Sequence, residues 1–325
     1  MSLDLSIVIP IHNEAASLDT LYRELTDTLG RGPWSYELIL IDDGSTDGSF
    51  DLLSRLQAAD ARVRVIQFRR SFGQTAAFAA GFAEARGRLI VTADGDLQND
   101  PRDIPILVHQ LDQGGFDIVC GWRRDRKDAF LTRRLPSQVA NRIISWATGV
   151  HLNDYGCSLK VFRADVVKPL RLYGELHRFL PALASEMGVK IAELPVHHRP
   201  RLHGRSKYGL SRTIRVLLDL VTVKFLLSYS TRPLQMFGLV GGVMGATGAV
   251  ILGYLGTVRI LGLQRLTERQ PLVLLGILLV FAGVQLVTLG LLAELQARTY
   301  HESQGKPIYV IRRILETPRR EDGGA

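Results

Sequence analysis

Three short acidic segments hold the residues most able to do chemistry: Pro10-Ile11-His12-Asn13-Glu14, Asp42-Asp43-Gly44-Ser45-Thr46-Asp47 and Asp94-Gly95-Asp96-Leu97-Gln98. An Asp-x-Asp pair on a turn aims two carboxylates at one point, which suits a hard divalent cation that also grips phosphate oxygens. Ionised carboxylates also accept hydrogen bonds from the hydroxyl and N–H groups of a sugar or a base. Each segment alone has a plainer reading. Asp-x-Asp is a common tripeptide, and the Asp-Asp-Gly-Ser run fits a helix N-cap turn through Ser45 or Asp47. All three in this order and spacing are specific. Basic residues supply the complementary chemistry: Arg123, Arg133 and Arg134 precede Ser137, which opens a predicted helix, Ser137–Thr148. Guanidinium groups there suit a phosphate at a membrane surface, or else a solvated face on lipid headgroups. Arg133 and Ser137 are four residues apart, so if the helix begins just before Pro136 they lie on one face near its start, where free N–H groups favour an anion. His197 and His198 follow a strand-like Ile191–Val196. Neighbours on a strand point to opposite faces, so the pair is not expected to share a metal.

These residues need a scaffold, and the hydrophobic pattern describes one. Short β-branched runs read as buried strands at Leu5–Ile11, Glu37–Ile41, Val63–Phe68, Leu89–Thr92 and Phe116–Cys120. Helical patterns lie between them, at Ala15–Leu29, Gly48–Ala59, Thr75–Ala85 and Ile104–Gln113. Such alternation predicts an α/β domain with a mostly parallel sheet. Sheets of this kind bind ligands at the carboxyl ends of their strands, where the three acidic segments fall.

Composition bounds the rest. The 325 residues suit one large domain with an appendage, or two domains, and 46% apolar against 22% charged residues excludes disorder. The two cysteines, Cys120 and Cys157, lack CxxC spacing. They exclude a disulfide scaffold and fit a reducing compartment. With no GxGxxG or GxxxxGK, a dinucleotide-binding oxidoreductase is excluded. Leu5–Ile11 is short and follows Asp4 without a basic leader, so it does not read as a signal peptide.

Residues 1–198 hold 23 basic and 25 acidic residues, whereas residues 199–232 hold eight basic residues and one acidic, Asp219. Two uncharged runs follow, Pro233–Val258 and Gln270–Ala293, of 26 and 24 residues. A helix of about 20 apolar residues crosses a bilayer core, so both are expected spans. Val216–Tyr229, mostly apolar but carrying Asp219 and Lys224, reads as a helix lying on the membrane surface. Gly238-xxx-Gly242 and Gly241-xxx-Gly245 allow close helix approach, to the second run or to another copy of the chain. The expected domains are 1–210 catalytic, 211–232 juxtamembrane helix, 233–295 two spans and 296–325 tail. Two spans place both termini on one side. The positive-inside rule puts the basic segment and the tail in the cytosol, and the 259–269 connector opposite.

On these segments the chain resembles the inverting nucleotide-sugar glycosyltransferases of GT-A fold, family 2. Within them it resembles the polyprenyl-phosphate branch, which includes dolichol-phosphate mannose synthases and undecaprenyl-phosphate sugar transferases. The resemblance rests on VIPIHNE (8–14), LIDDGSTDGS (40–49), RRSFGQTAAFAAG (69–81), TADGDLQNDP (92–101), NDYGCSLKVFR (153–163), RLHGRSKY (201–208), STRPL (230–234) and KPIYVIRR (306–313). DYGC, PVHH (195–198) and RSKY are most similar to the formamidoarabinose transferases of that branch. The implied fold is a Rossmann-like GT-A domain followed by an amphipathic surface helix and two transmembrane helices. The implied activity is inverting, metal-dependent transfer of one sugar from a UDP- or GDP-sugar to a polyprenyl (undecaprenyl or dolichyl) monophosphate. It would run with Mg²⁺ or Mn²⁺ at the cytosolic face of a bacterial plasma membrane, in cell-envelope synthesis.

The resemblance also implies roles. Pro10, Glu14 and Asp42 would bind the donor's base and ribose. Asp94, Asp96 and Gln98 would hold its pyrophosphate through the metal. Asp96 and Asp154 would be catalytic, Asp154 as positioner or base. Arg123, Arg133 and Ser137 would take the acceptor phosphate. Arg201, Ser206 and Lys207 would cover the donor phosphates, while Arg205 would do so or touch anionic lipid. The implied partners are donor, lipid acceptor, membrane and a second copy of the chain, not nucleic acid. His12 stands where tyrosine is usual, Ser71 where asparagine is usual, and Gly95 where alanine is frequent. A processive polysaccharide synthase of the same fold would normally carry Gln-x-x-Arg-Trp, which is absent. A decayed, non-catalytic membrane scaffold is the other alternative, and the intact acidic segments argue against it.

Overall fold

The computed structural model describes residues 3–124, 141–142, 144–145, 148–172, 176–200, 233–261, 269–303 and 308–317. Arg133, Arg134, Ser137, Arg201, Arg205, Ser206, Lys207 and the surface helix expected within 211–232 lie outside them. The chain divides into two units, residues 1–220 with 307–325, and residues 221–306.

The first unit is built on one sheet. Its strands are β1 (Leu5–Ile11), β2 (Tyr36–Asp42), β3 (Val63–Phe68), β4 (Leu89–Thr92), β5 (Ile118–Trp122), β6 (Lys160–Arg163), β7 (Ile191–Pro195) and β8 (Ile311–Leu315). The order across the sheet is β7-β5-β6-β4-β1-β2-β3-β8. Helices α1 (Ala15–Gly30), α2 (Ser49–Ala59), α3 (Gln74–Glu84) and α4 (Ile104–Gly114) connect the early strands. β1 to β3 are buried along almost their whole length, as continuous apolar runs require when both faces of a sheet are covered. Strands β4, β1, β2 and β3 pair in parallel, and β5 pairs in parallel with β7. The mostly parallel sheet expected from the pattern is present, made mixed by two reversed strands, β6 and β8.

The chain steps from β1 to β2 on one side and returns to β4 on the other. This reversal opens a crevice at the carboxyl ends of β1 and β4, where open α/β sheets take ligands. Pro10 helps to make it. Val8 accepts from the Ala93 N–H on the β4 side, so Pro10, two residues on, also faces that side. The β1–β4 ladder ends at Val8 and Thr92, so the N–H that proline lacks has no ladder to serve.

The tail joins the sheet. β8 pairs antiparallel with β3, and the Tyr309 ring stacks on Phe68 at 5.3 Å. Beneath it, the buried Arg64 guanidinium reaches Glu37, Glu84 and Glu316 at 3.2, 3.0 and 2.8 Å. The sequence offers here only the short apolar run Ile308–Ile311, inside the KPIYVIRR segment. The strand lies further on, and its pairing partner is about 250 residues away.

Among its described residues the second unit holds two helices, Pro233–Ile260 and Gln270–Ser303. Each is long and apolar enough to cross a membrane over Phe237–Ile260 and Gln270–Ala293, and both present mostly unburied apolar side chains. They pack on each other through glycines. A Cβ on Gly283 would lie 2.5 Å from the Gly241 carbonyl oxygen, and one on Gly248 would lie 2.7 Å from that of Gly276. Backbones meet this closely only without side chains. The pair uses Gly241 and Gly248, seven residues apart, with the Gly245 backbone also against Gly283, while a Cβ on Gly242 would meet open space.

Candidate active site

The loops after β1 and β2 lock together. Asn13, at φ 59°, accepts the Thr46 N–H on its side-chain oxygen, and the Asn13 N–H donates to Ser45 Oγ. Asp47 accepts from the N–H groups of Ala15 and Ser49, so it caps the starts of both α1 and α2. The capping role open to Ser45 or Asp47 thus falls on Asp47. Burial works against its ionised form, yet the hydrogen bonds from Ser49 and Ala15 outweigh it and lower its pKa. Asp43 clamps the loop after β3, accepting from Ser71 Oγ at 2.9 Å and from the Phe72 and Gly73 N–H groups at 2.6 and 3.0 Å. Ser71, in place of the usual asparagine, still serves this clamp. Gly44 sits at φ +65°, and a Cβ there would lie 2.6 Å from the Arg70 carbonyl carbon, so only glycine fits.

Asp42 has no structural duty of comparable weight. It is fully buried, and one oxygen accepts the Ser45 N–H at 3.1 Å. Its other oxygen, Oδ2, is the one buried side-chain polar atom without a hydrogen-bond partner among the described residues. An orphaned buried carboxylate oxygen costs free energy unless a ligand meets it. Glu14 precedes α1 and accepts from Ser17 Oγ at 3.1 Å. His12 lies beside them, its Nδ1 2.8 Å from the Asp43 carbonyl.

The third segment makes a strained turn. Leu97 is at φ 63°, held there by its buried side chain. A leucine in this conformation costs roughly 1–2 kcal/mol, strain of the kind that clusters at functional sites. Gly95 lets the turn press against β1, since a Cβ there would fall 2.6 Å from Ile11 Cδ1. Asp96 accepts the Gln98 N–H at 3.1 Å, and Asp94 accepts from Gln74 Nε2 at 2.7 Å. Burial raises the Asp94 pKa, and the Asp96 charge raises it further. A buried carboxylate whose ionisation a neighbouring charge opposes is what a cation relieves.

Among the described residues no three His, Cys, Asp or Glu side chains group to hold a metal. That set still fits Mg²⁺ or Mn²⁺ on a diphosphate, because such ions need one or two carboxylates and take further oxygens from substrate and water. Asp94 and Asp96 would supply the carboxylates and Gln98 an amide oxygen.

On the other side of β4, Arg123 and Asp154 form a bidentate pair, Nε to Oδ2 at 2.6 Å and Nη2 to Oδ1 at 2.8 Å. Both are largely buried. Burial works against the Arg123 charge, but Asp154 outweighs it and raises the arginine's pKa. Asp154 is oriented in turn by Glu193, which accepts its N–H at 2.8 Å. Asn99 links the two sides, its Oδ1 accepting from the Asp94 N–H and from Ser158 Oγ. Sequence reasoning missed Asp43's clamp, Gln74, Asn99 and Glu193. Gln74 lay inside the quoted RRSFGQTAAFAAG segment, and that was its one signal.

The chain after β7 returns to the Asp-x-Asp turn. His197 pairs with Asp103 and His198 with the Arg199 carbonyl, so the two imidazoles serve different partners, as expected. The Arg199 N–H donates to the Gln98 carbonyl at 3.0 Å. The basic segment 201–208 therefore begins two residues after a backbone bond to Gln98.

Residues 6–170 match the model of glycosyl transferase family 2. A curated relative, the dodecaprenyl-phosphate galacturonate synthase of Rhizobium johnstonii, is 45% identical over 318 residues, covering 97% of this chain and 94% of its own. The undecaprenyl-phosphate 4-deoxy-4-formamido-L-arabinose transferase of Aeromonas hydrophila is 38% identical over 321 residues, covering 98% and 96%. Among solved structures, glucosyl-3-phosphoglycerate synthase from Mycobacterium tuberculosis, in complex with Mn²⁺ and UDP-glucose, superposes with a TM-score of 0.53 at 19% identity, covering 70% of this chain and 81% of that one. Mannosyl-3-phosphoglycerate synthase from Rubrobacter xylanophilus gives 0.53 at 16% identity, covering 69% and 74%.

Proposed function

From the premise that this chain belongs to glycosyl transferase family 2, and so is a glycosyltransferase, we propose that it moves one sugar from a nucleotide-diphosphate donor to a polyprenyl monophosphate. The orphaned, fully buried Asp42 oxygen at the carboxyl end of β2, next to β1, carries the donor half of this reading. It is an acceptor awaiting the N–H or O–H of a base or ribose. The acceptor half rests on the relatives, which are named for dodecaprenyl and undecaprenyl phosphate.

In this reading an acceptor phosphate oxygen attacks the anomeric carbon opposite the leaving diphosphate, and the single displacement inverts the centre. The phosphate is already ionised near neutral pH, so no strong base is required. Asp154 then acts by orienting Arg123. Two of that guanidinium's five N–H groups hold Asp154 through Nε and Nη2. The remaining N–H groups would receive the acceptor phosphate, with Arg133 and Ser137. Asp94, Asp96 and Gln98 would hold a divalent cation, which supplies charge neutralisation on the leaving diphosphate. Arg201, Ser206 and Lys207 would close over the same phosphates, and the Arg199–Gln98 backbone bond supports that placement. Preorganised charge of this kind is usually the largest part of the barrier reduction.

The membrane arrangement belongs to the same proposal. The catalytic unit and both termini lie in the cytosol, with the 259–269 connector outside. The return of β8 to the sheet supports it, because the chain then leads from both ends of the two-helix segment into the same folded unit. The basic 199–232 segment gives the direction. The decisive experiment uses purified protein, a polyprenyl phosphate, Mg²⁺ or Mn²⁺ and labelled nucleotide sugars, with UDP-galacturonate in the panel. Label entering lipid is expected from one donor. No label in lipid from any of them, with hydrolysis or polymer instead, would overturn the reading.

A further inference from the structure

Lys160 is a buried cation that the mechanism above does not use. It stands on β6 between β4 and β5, opposite Thr92 and Cys120, and is 3% exposed. Among the described residues no carboxylate lies within ion-pair distance of its ammonium. Its Nζ donates instead to two backbone carbonyls, those of Tyr155 and Cys157. Its charge acts on Asp94 only from beyond contact, holding that carboxyl lower; a buried ammonium with no carboxylate in contact is costly, and a sheet position of this kind is ordinarily filled by an apolar side chain. What it holds is the loop Asn153–Ser158. One end of that loop carries Asp154, bonded to Arg123. The other end is tied to the Asp-x-Asp turn: Ser158 Oγ donates to Asn99 Oδ1, which also accepts the Asp94 N–H, and Thr92 Oγ1 donates to the Ser158 carbonyl.

We propose that Lys160 is a positioning residue, whose ammonium, held by the Tyr155 and Cys157 carbonyls, fixes the loop that sets the Arg123–Asp154 pair against the Asp94 turn. It touches neither substrate in this scheme. It aligns the group that receives the acceptor with the group that receives the donor, and so acts on the step that needs both. The inference rests on the transfer reaction proposed above.

The test compares Lys160→Met and Lys160→Arg in the full chain in detergent micelles, with labelled donor and polyprenyl phosphate. Lys160→Met is expected to lower kcat by ten- to a hundredfold, while the Kd for nucleotide diphosphate measured alone changes by less than about threefold. The melting temperature is read in parallel. Lys160→Arg, which keeps the charge and the donors, is expected to recover most of the lost rate. A purely structural lysine predicts the opposite pattern: a lowered melting temperature with normal kcat per folded molecule, and that result overturns the proposal. So does an equal loss of nucleotide affinity and rate.

If Lys160→Met does not fold, Thr92→Val decides, since it frees the Ser158 carbonyl at the far end of the loop while leaving both of the ammonium's hydrogen bonds and the Asp94 carboxylate in place. A three- to tenfold loss of kcat with unchanged nucleotide affinity supports the proposal, and an unchanged kcat overturns it. A wild-type protein that transfers no sugar to lipid phosphate would refute the reaction itself. A fully active Lys160→Met refutes only the role of Lys160.

Discussion

At the scale of single residues, the site separates carboxylates that hold the scaffold from those left for ligands. Asp43 and Asp47 spend their oxygens on backbone N–H groups, whereas Asp42 keeps one buried oxygen unmet. Asp96→Asn is expected to cut transfer at least about a hundredfold, a loss of roughly 3 kcal/mol of transition-state stabilisation. Its melting temperature should stay within a few degrees of wild type, and near-normal turnover at saturating donor would remove Asp96 from the metal site. Gly44→Ala should behave in the reverse way, lowering stability by about 1–3 kcal/mol because the backbone there is left-handed and walled in by Arg70. Denaturant midpoints would measure it. Burial pushes the Cys120 thiol up to about 12 and the Cys157 thiol up to about 11. Neither should react with a maleimide at pH 7.5 unless the protein is unfolded. The charged members of the site were legible in the sequence because acids stood directly after apolar runs. Gln74, Asn99 and Lys160 were not. Two are uncharged, and the lysine's burial is decided by β4 and β5, strands whose pairing with β6 no local pattern reveals.

At the scale of elements, β1 to β4 and α1 to α4 were readable to within one or two residues, because each is a run of one hydrophobic period. β8 was not, since a five-residue strand with two arginines has no pattern of its own and gains its identity from β3. The Arg64 cluster that secures it gives a graded prediction. Arg64→Ala leaves the 5%-exposed Glu37 without its cation and should cost about 3–5 kcal/mol. Glu316→Gln removes a partner that is 39% exposed and should cost about 1 kcal/mol or less. Equal losses in chemical denaturation would show that the cluster is not organised around Arg64. The segment after β4 gives a pH prediction. Burial alone would raise the Asp100 pKa, but hydrogen bonds from Arg102 and Arg199 hold it well below the usual carboxylate range. A lowered folded pKa means the pair's contribution is complete above about pH 4 and is lost as pH falls through the folded value. The stability gap between wild type and Asp100→Asn should therefore narrow progressively on acidification from pH 4 to pH 2, as read by thermal melts.

At the scale of the whole molecule, a cysteine placed at Leu263 tests the membrane arrangement. It should be labelled from outside intact cells, with Cys120 and Cys157 as silent internal controls. Labelling only after permeabilisation would reverse the proposed topology. The helix pair itself was legible from its uncharged runs, and its glycine contacts only in part, because the spacing cannot say which glycines face the partner. The return of β8 has a further consequence, in time. Val65 on β3 waits for Leu315, 250 residues later in the chain. At about 5–20 residues per second a ribosome takes roughly 12–50 s to cover that distance. Throughout that interval both apolar helices are being made and the edge of β3 stands open, a template for wrong pairing. The domain emerges first yet is completed last, so its final strand can arrive only after the segment destined for lipid has been synthesised. A nascent chain stalled between Ser303 and Ile308 would carry every acidic residue of the crevice and still have an unfinished sheet.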